Sequence, residues 1–270
     1  MNNQNAIILL VSFFIIVLTI SLLLHNYIKT NIASGADEIN RYLSNHCDDP
    51  AVLNVKDFPW TKKFRKNWKL VQGEYLKYCE KYEVPRYADI SKSSSGNNPS
   101  WKAIFLRVFS NDTEVIEDFP ETKKLIDSCP CTTAYFSMIE PRSKLTPHVG
   151  IFKGVVRYHL SLIAPKDWKN CFIVVDGNKL HWKEPGNAIM FDDMFLHHVE
   201  NNTDERRVVL FLDIKRDFKS PYLNLFNTIM LKYINCNDAL VNTVHIANKL
   251  TRKPKRYPKR KSKRKPRSKQ

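Results

Sequence analysis

Between residues 101 and 214 the chain breaks into seven short runs rich in β-branched and aromatic residues: 101–109, 134–139, 155–162, 171–176, 179–182, 188–191 and 207–214. Each run is too short for a helix with an apolar stripe, and the gaps are too short for crossover helices, so the runs read as antiparallel strands. Asp176-Gly177 between two of them is a hairpin signal, and Pro185-Gly186 marks another turn. The pattern predicts a mainly β domain, an antiparallel sandwich or jelly roll, rather than a parallel sheet. Upstream, Phe58-Pro59-Trp60 leads into a helix expected over 62–82, and residues 91–100 form a polar loop. Downstream, Leu225, Ile229, Tyr233 and Ile234 lie at helical spacing in a closing helix over 224–250.

The two ends differ from this body. Residues 6–24 form a 19-residue stretch without a charge, close to the length a helix needs to cross a bilayer core. No basic residue precedes it and no small-residue cleavage site follows it, which favours an uncleaved single-pass anchor over a signal peptide. Lys29 and Arg41 after the span favour a cytoplasmic body, whereas the sequons at Asn111 and Asn201 favour the lumen. The side of the membrane is thus left open. From Lys249 to Gln270 there are 13 Lys and Arg and no acidic residue, so most of the net charge of +16 lies in a basic tail. Such a segment stays unfolded and suits anionic lipid headgroups or nucleic acid. The chain therefore divides into a flank (1–5), a transmembrane anchor (6–28), a helical and linking region (29–100), a jelly-roll domain (101–218), a closing helix (219–248) and a disordered polybasic tail (249–270). With seven glycines and no GxGxxG or GxxxxGK[ST], the common nucleotide loops are excluded. The six cysteines match no zinc spacing, and they permit disulfides without demanding any.

Polar residues concentrate in one part of the β region. Arg157, His159 and Ser161 alternate along one strand and share a face. Surface exposure is the simplest reading of that face, but in a jelly roll it can line the interior. His148 lies in a loop between two predicted strands, His197 and His198 lie in a loop after another, and Arg206-Arg207 opens the last strand. Two imidazoles on separate loops at the mouth of a barrel suit a transition metal.

The ordered pieces SWKAIFLRVF, TTAYFSMIEP, PHVG, GVVRYHLSLIAP and FDDMFLHHVENNTDERRVVLFLDI, with FPW and NW upstream, resemble the aspartyl/asparaginyl β-hydroxylase family of Fe(II)/2-oxoglutarate dioxygenases, which also contains bacterial lipid A 2-hydroxylases. The resemblance implies a double-stranded β-helix of jelly-roll or cupin type. It assigns His148 and His197 to iron, and Trp101, Ser137, Arg157, His159 and Arg207 to the 2-oxoglutarate cosubstrate, with no catalytic side chain separate from the metal centre. An arginine suits that task because its planar fork pairs with a carboxylate and stays charged. His198 has no counterpart in the family and is read as structural. The usual third ligand, a carboxylate, is replaced by Gly150, as in the animal β-hydroxylases; Asp192 and Asp193 are read as turn carboxylates. The implied function is hydroxylation of the β-carbon of Asp or Asn in a protein substrate. The alternatives are a lipid acyl-chain hydroxylase, or a non-catalytic binding module that grips phosphate through its basic tail.

Overall fold

The computed structural model describes residues 3–30, 32–47, 50–91 and 98–255. Most of the tail and most of the polar loop expected over 91–100 lie outside the described residues.

Eleven strands form two sheets. The larger has the order β1 (Val52–Leu53), β9 (Ala188–Phe191), β6 (Val155–Ile163), β11 (Arg207–Lys215), β4 (Cys131–Ile139), β2 (Trp101–Val108), β3 (Asn111–Asp112). The smaller runs β5 (Ser143–His148), β10 (His197–Asn201), β7 (Cys171–Val175), β8 (Asn178–His181). Every pairing is antiparallel, and the two sheets face each other as a jelly roll. The hairpin at Asp176-Gly177 forms with positive φ at both residues, joining β7 to β8.

The seven expected strands all form, within a few residues of their expected ends. Alternation along them sorts the two faces of the large sheet. Ile104, Leu106, Phe136, Met138, Tyr158, Leu160 and Leu210 point outward into one apolar cluster with Phe64, Val71, Tyr75 and Tyr78. Those four come from α3 (Thr61–Lys66) and α4 (Trp68–Lys81), which together replace the single helix expected over 62–82 and meet at Asn67. Trp101, Ala103, Phe105, Tyr135, Val209 and Phe211 point inward, against Leu145, Ile173, Val175 and Val199 of the small sheet. Because both faces are covered, β4 is buried along its whole length.

After two short helices, α5 (Tyr87–Ile90) and α6 (Pro120–Ile126), the expected closing helix is two: α7 (Pro221–Asn235) and α8 (Asp238–Leu250). The break lies at Cys236-Asn237, where the Asn237 side chain caps α8 by accepting the amide of Ala239. Order continues past the expected start of the tail. Glu83 donates its amide to Lys253, Lys255 donates to Lys81, and Arg252 pairs with Asp118 at 2.8 Å.

At the other end α1 (Asn3–Thr30) and α2 (Ile32–Ser44) precede the barrel. Thirteen large apolar side chains of α1, Ile7 to Leu23, are exposed. Among the described residues, however, no helix is long and apolar enough to cross a membrane. The anchor expected over 6–28 falls within α1. The sequon hints change. Asn201 is wholly buried: its amide donates to the carbonyls of Glu140 and Glu205, and its oxygen accepts from Thr203. A glycan cannot be attached there in the folded chain. The Asn111 amide is bound to the carbonyl of Asn235 at 3.1 Å. Among the described residues no disulfide joins any of the six cysteines.

Candidate active site

The two histidines expected in loops stand instead at strand ends. β5 and β10 are neighbours, and their register sets His148 directly opposite His197, with ring centroids 4.3 Å apart. Each Nδ1 is tied to a carbonyl two residues back, His148 to Thr146 at 2.7 Å and His197 to Phe195 at 2.8 Å. A carbonyl only accepts, so both Nδ1 atoms carry the proton and both Nε2 atoms keep a lone pair. Burial pushes His197 down to about 3, helped by the Arg157 charge, and burial also lowers His148. Both rings are neutral donors at ordinary pH. His198 points to the other side, 3.9 Å from Glu200, as expected of a structural neighbour.

Across the interior the large sheet presents its inward face in rows. Ser161, Val209, Ser137 and Ala103 form one row; His159, Phe211, Tyr135 and Phe105 form the next; Arg157, Asp213 and Thr133 form a third. Beyond the first row lies Arg207, only 1% exposed, opposite Ile139, which in turn faces Trp101. Its guanidinium lies 4.3 Å over the Trp182 ring and donates weakly to Ser137, at 3.3 and 3.4 Å. Its Nε has no partner, and among the described residues no carboxylate pairs with it. Burial without an anion pulls Arg207 down to about 10. Beside it, both ring nitrogens of His159 are buried and unbonded, and Trp101 donates its indole N–H to Ser137 at 3.1 Å. Unsatisfied buried donors cost stability. Four of the five residues assigned to the cosubstrate, Trp101, Ser137, His159 and Arg207, thus line the same cavity.

Arg157, the fifth, is placed differently. It is held by Asp193 at 2.7 Å and Asp213 at 2.9 Å, so its fork is engaged by carboxylates of the protein. Burial opposes its charge, but the two carboxylates more than offset this and raise its pKa.

The Asp192-Asp193 pair lies in the turn between β9 and β10, as expected, but both carboxylates are buried. Asp192 is wholly buried between Lys153 and Arg216. Asp193 is buried beside Gly150, whose amide donates to the Asp193 carbonyl at 2.7 Å. A Cβ at position 150 would overlap the Asp193 carboxylate. The space a side chain at 150 would enter is therefore filled by a carboxylate from the other loop, and one oxygen of it, Oδ1, is buried without a partner. Burial raises Asp193 to about 7, with Asp213 and Asp192 adding and Arg157 opposing. Among the described residues no cluster of three His, Cys, Asp or Glu has metal-ligand geometry, so the imidazole pair stands without a third protein ligand.

Asp213, Trp182 and Asn40 escaped the sequence reading. Asp213 was within reach, since 207, 209, 211 and 213 alternate onto one face. Asn40 was not. It reaches from α2 to accept the Lys153 amide and donate to Ile151, gripping the loop that follows His148.

The two histidines, the five residues assigned to the cosubstrate, Asp193 and Asp213 all line one cavity of about 290 Å³. A jelly roll that sets an imidazole pair beside a buried, anion-less guanidinium has the make-up of a metal- and carboxylate-binding barrel. Residues 65–217 match the family model described as Aspartyl/Asparaginyl beta-hydroxylase, more than half of the chain, and the chain belongs to that family. It is 36% identical over 178 residues to the ornithine lipid ester-linked acyl 2-hydroxylase of Rhizobium tropici, covering 64% of this chain and 63% of that protein. It is 26% identical over 184 residues to the human aspartyl/asparaginyl beta-hydroxylase, covering 60% of this chain and 23% of that protein. The mouse aspartate beta-hydroxylase domain-containing protein 2 is 27% identical over 208 residues, with 68% and 60% covered.

Proposed function

We propose that this chain is an Fe(II)- and 2-oxoglutarate-dependent dioxygenase that hydroxylates a C–H bond of a lipid acyl chain. The observation that carries the dioxygenase reading is the pairing of two neutral imidazoles, each with a free Nε2, with a buried guanidinium that lacks its anion. His148 and His197 would hold the iron, leaving its other positions to the cosubstrate and water. Bound there, iron supplies dioxygen activation coupled to oxidative decarboxylation of 2-oxoglutarate, the oxidising power that C–H hydroxylation requires. The protein's part is positional. Arg207 takes the far carboxylate, with Ser137 and His159 completing its hydrogen bonds and Trp101 and Trp182 walling it from water. Arg157 holds Asp193 and Asp213 in the cavity, and its charge adds to the burial that keeps His197 unprotonated.

The sequence ranked protein Asp and Asn side chains first as substrate, and the family's descriptive name favours that reading. The surface favours lipid. Val149 and Ile151, which line the cavity, and Leu196, next to His197 in sequence, are exposed apolar residues. The exposed apolar side of α1 supports membrane association, with the basic tail drawn to anionic headgroups. The relative from Rhizobium tropici is named for an acyl 2-hydroxylase activity.

Anaerobic titration of the full chain in detergent with Fe(II) and 2-oxoglutarate tests the reading. Binding is expected to require metal, to disappear in His197→Ala, and to weaken by about tenfold to a hundredfold in Arg207→Ala. A folded chain that binds neither would leave the non-catalytic module as the answer. Succinate release on addition of lipid, but not of Asp- or Asn-containing peptides, then separates the two substrates.

A further inference from the structure

The cavity extends past the metal position on the side away from Arg207. Along β4 it runs from Ser137 to Thr133, four residues or about 13 Å of strand. Its far end is bounded by Val108, Phe109, Phe152 and Val155 of the barrel and is roofed by Leu240 and Thr243 of α8. The far end of this arm has apolar walls, and Arg157 and Asp213, the charged groups in the row of Thr133, are paired with each other at 2.9 Å. Its two threonine hydroxyls are already engaged: Thr133 Oγ1 accepts the amide of Phe109, and Thr243 Oγ1 donates to the carbonyl of Ala239. A peptide entering it would bury backbone N–H and C=O groups against walls that offer them little, at a cost of kinds that folded proteins avoid. A hydrocarbon chain needs no such partners and gains by burial. The roof is built from residues beyond 217, outside the segment matched to the family model.

We propose that this arm is the acyl-chain subsite and that Leu240 and Thr243 of α8 set the length of chain it accepts. The proposal rests on the dioxygenase reading and names the substrate end that the barrel alone leaves open. A chain lying in the arm has its leading carbons at the histidine pair and its terminal methyl under α8, so the position of the roof decides how many methylenes fit.

The test uses the full chain in detergent, loaded anaerobically with Fe(II) and 2-oxoglutarate, and saturated fatty acids of graded length as probes. Affinity is expected to rise by about fourfold per methylene until the arm is full, and then to level off. Leu240→Trp fills the arm and moves the plateau to shorter chains, with loss of about tenfold or more for the longest probes. Leu240→Ala moves it to longer ones. Val241→Trp, an exposed position on the same helix, leaves the profile as it was. In every variant 2-oxoglutarate binding stays intact, which keeps the cosubstrate site separate from the result. If fatty acids bind with no dependence on Leu240, or if an Asp-containing peptide binds and the fatty acids do not, the subsite is overturned while the dioxygenase reading stands. If the wild-type chain fails to bind 2-oxoglutarate, both fall.

Discussion

At the residue scale the site turns on which groups are buried without a counterpart. Gly150 and Asp193 compete for one volume, because a Cβ on the first overlaps the carboxylate of the second. Gly150→Asp is therefore expected to lose metal affinity and stability together, while Gly150→Asp with Asp193→Gly recovers much of both; metal titration and thermal melts of the two variants check this. The ionisation of the buried groups also makes the metal-free fold sensitive to acid. His159 is pushed well below its ordinary value by burial and then by Arg207, and His197 lies at about 3. Each is neutral when folded and takes up a proton on unfolding, so its contribution is complete above about pH 6.5 and is lost as the pH falls, at about 1.4 kcal/mol per unit. Asp193, raised to about 7, acts in the opposite sense: it is protonated when folded and gives the proton up on unfolding, down to about pH 4. With His148 lowered as well, the histidines together outweigh the one aspartate and leave a net uptake of protons on unfolding. Denaturation midpoints of the apo chain should fall from about pH 6.5 to about pH 4, and His159→Phe should flatten that slope.

At the scale of elements, the loop between β5 and β6 is held from outside the barrel. Asn40 of α2 satisfies both the Ile151 carbonyl and the Lys153 amide. Asn40→Ala is expected to cost about 1–3 kcal/mol and to weaken metal binding while leaving the rest of the barrel folded; calorimetry and a metal titration read the two effects separately. This contact marks the limit of what the sequence discloses. Strands with a run of β-branched and aromatic residues were legible, because both their faces are buried. β5 and β10 were not. SKLTPH lies at the edge of the small sheet, where exposed polar residues and Pro147 are tolerated, and HHVEN is held by its neighbours β5 and β7 rather than by propensity. The histidines themselves were legible only as an ordered set, and their strand placement came from pairing. Arg157 and His159 looked equivalent because period two puts both on one face. Which of them would be engaged by Asp193 depended on a loop folding back across the sheet, a long-range contact that local pattern does not encode. The break between α7 and α8, by contrast, was present in the sequence as Asn237, a capping residue set inside a helical pattern.

For the whole molecule, the proposed membrane role gives the exposed apolar residues of α1 and the basic residues at the C-terminus different tasks. Removing residues 1–30 is expected to abolish association with lipid vesicles while 2-oxoglutarate binding persists, and trimming the tail is expected to reduce the preference for anionic over neutral vesicles and its sensitivity to salt. Flotation assays across a salt series check both. The buried guanidinium of Arg207 has a broader consequence. On the proposed reading, an anion bound at Arg207 pairs a buried cation and becomes a structural component of the chain. A ligand present at a hundred times its Kd adds about 2.7 kcal/mol to the folded state. The working life of this protein in a cell would then follow the supply of a central metabolite, so that starvation for that metabolite thins out the protein itself as well as slowing its reaction.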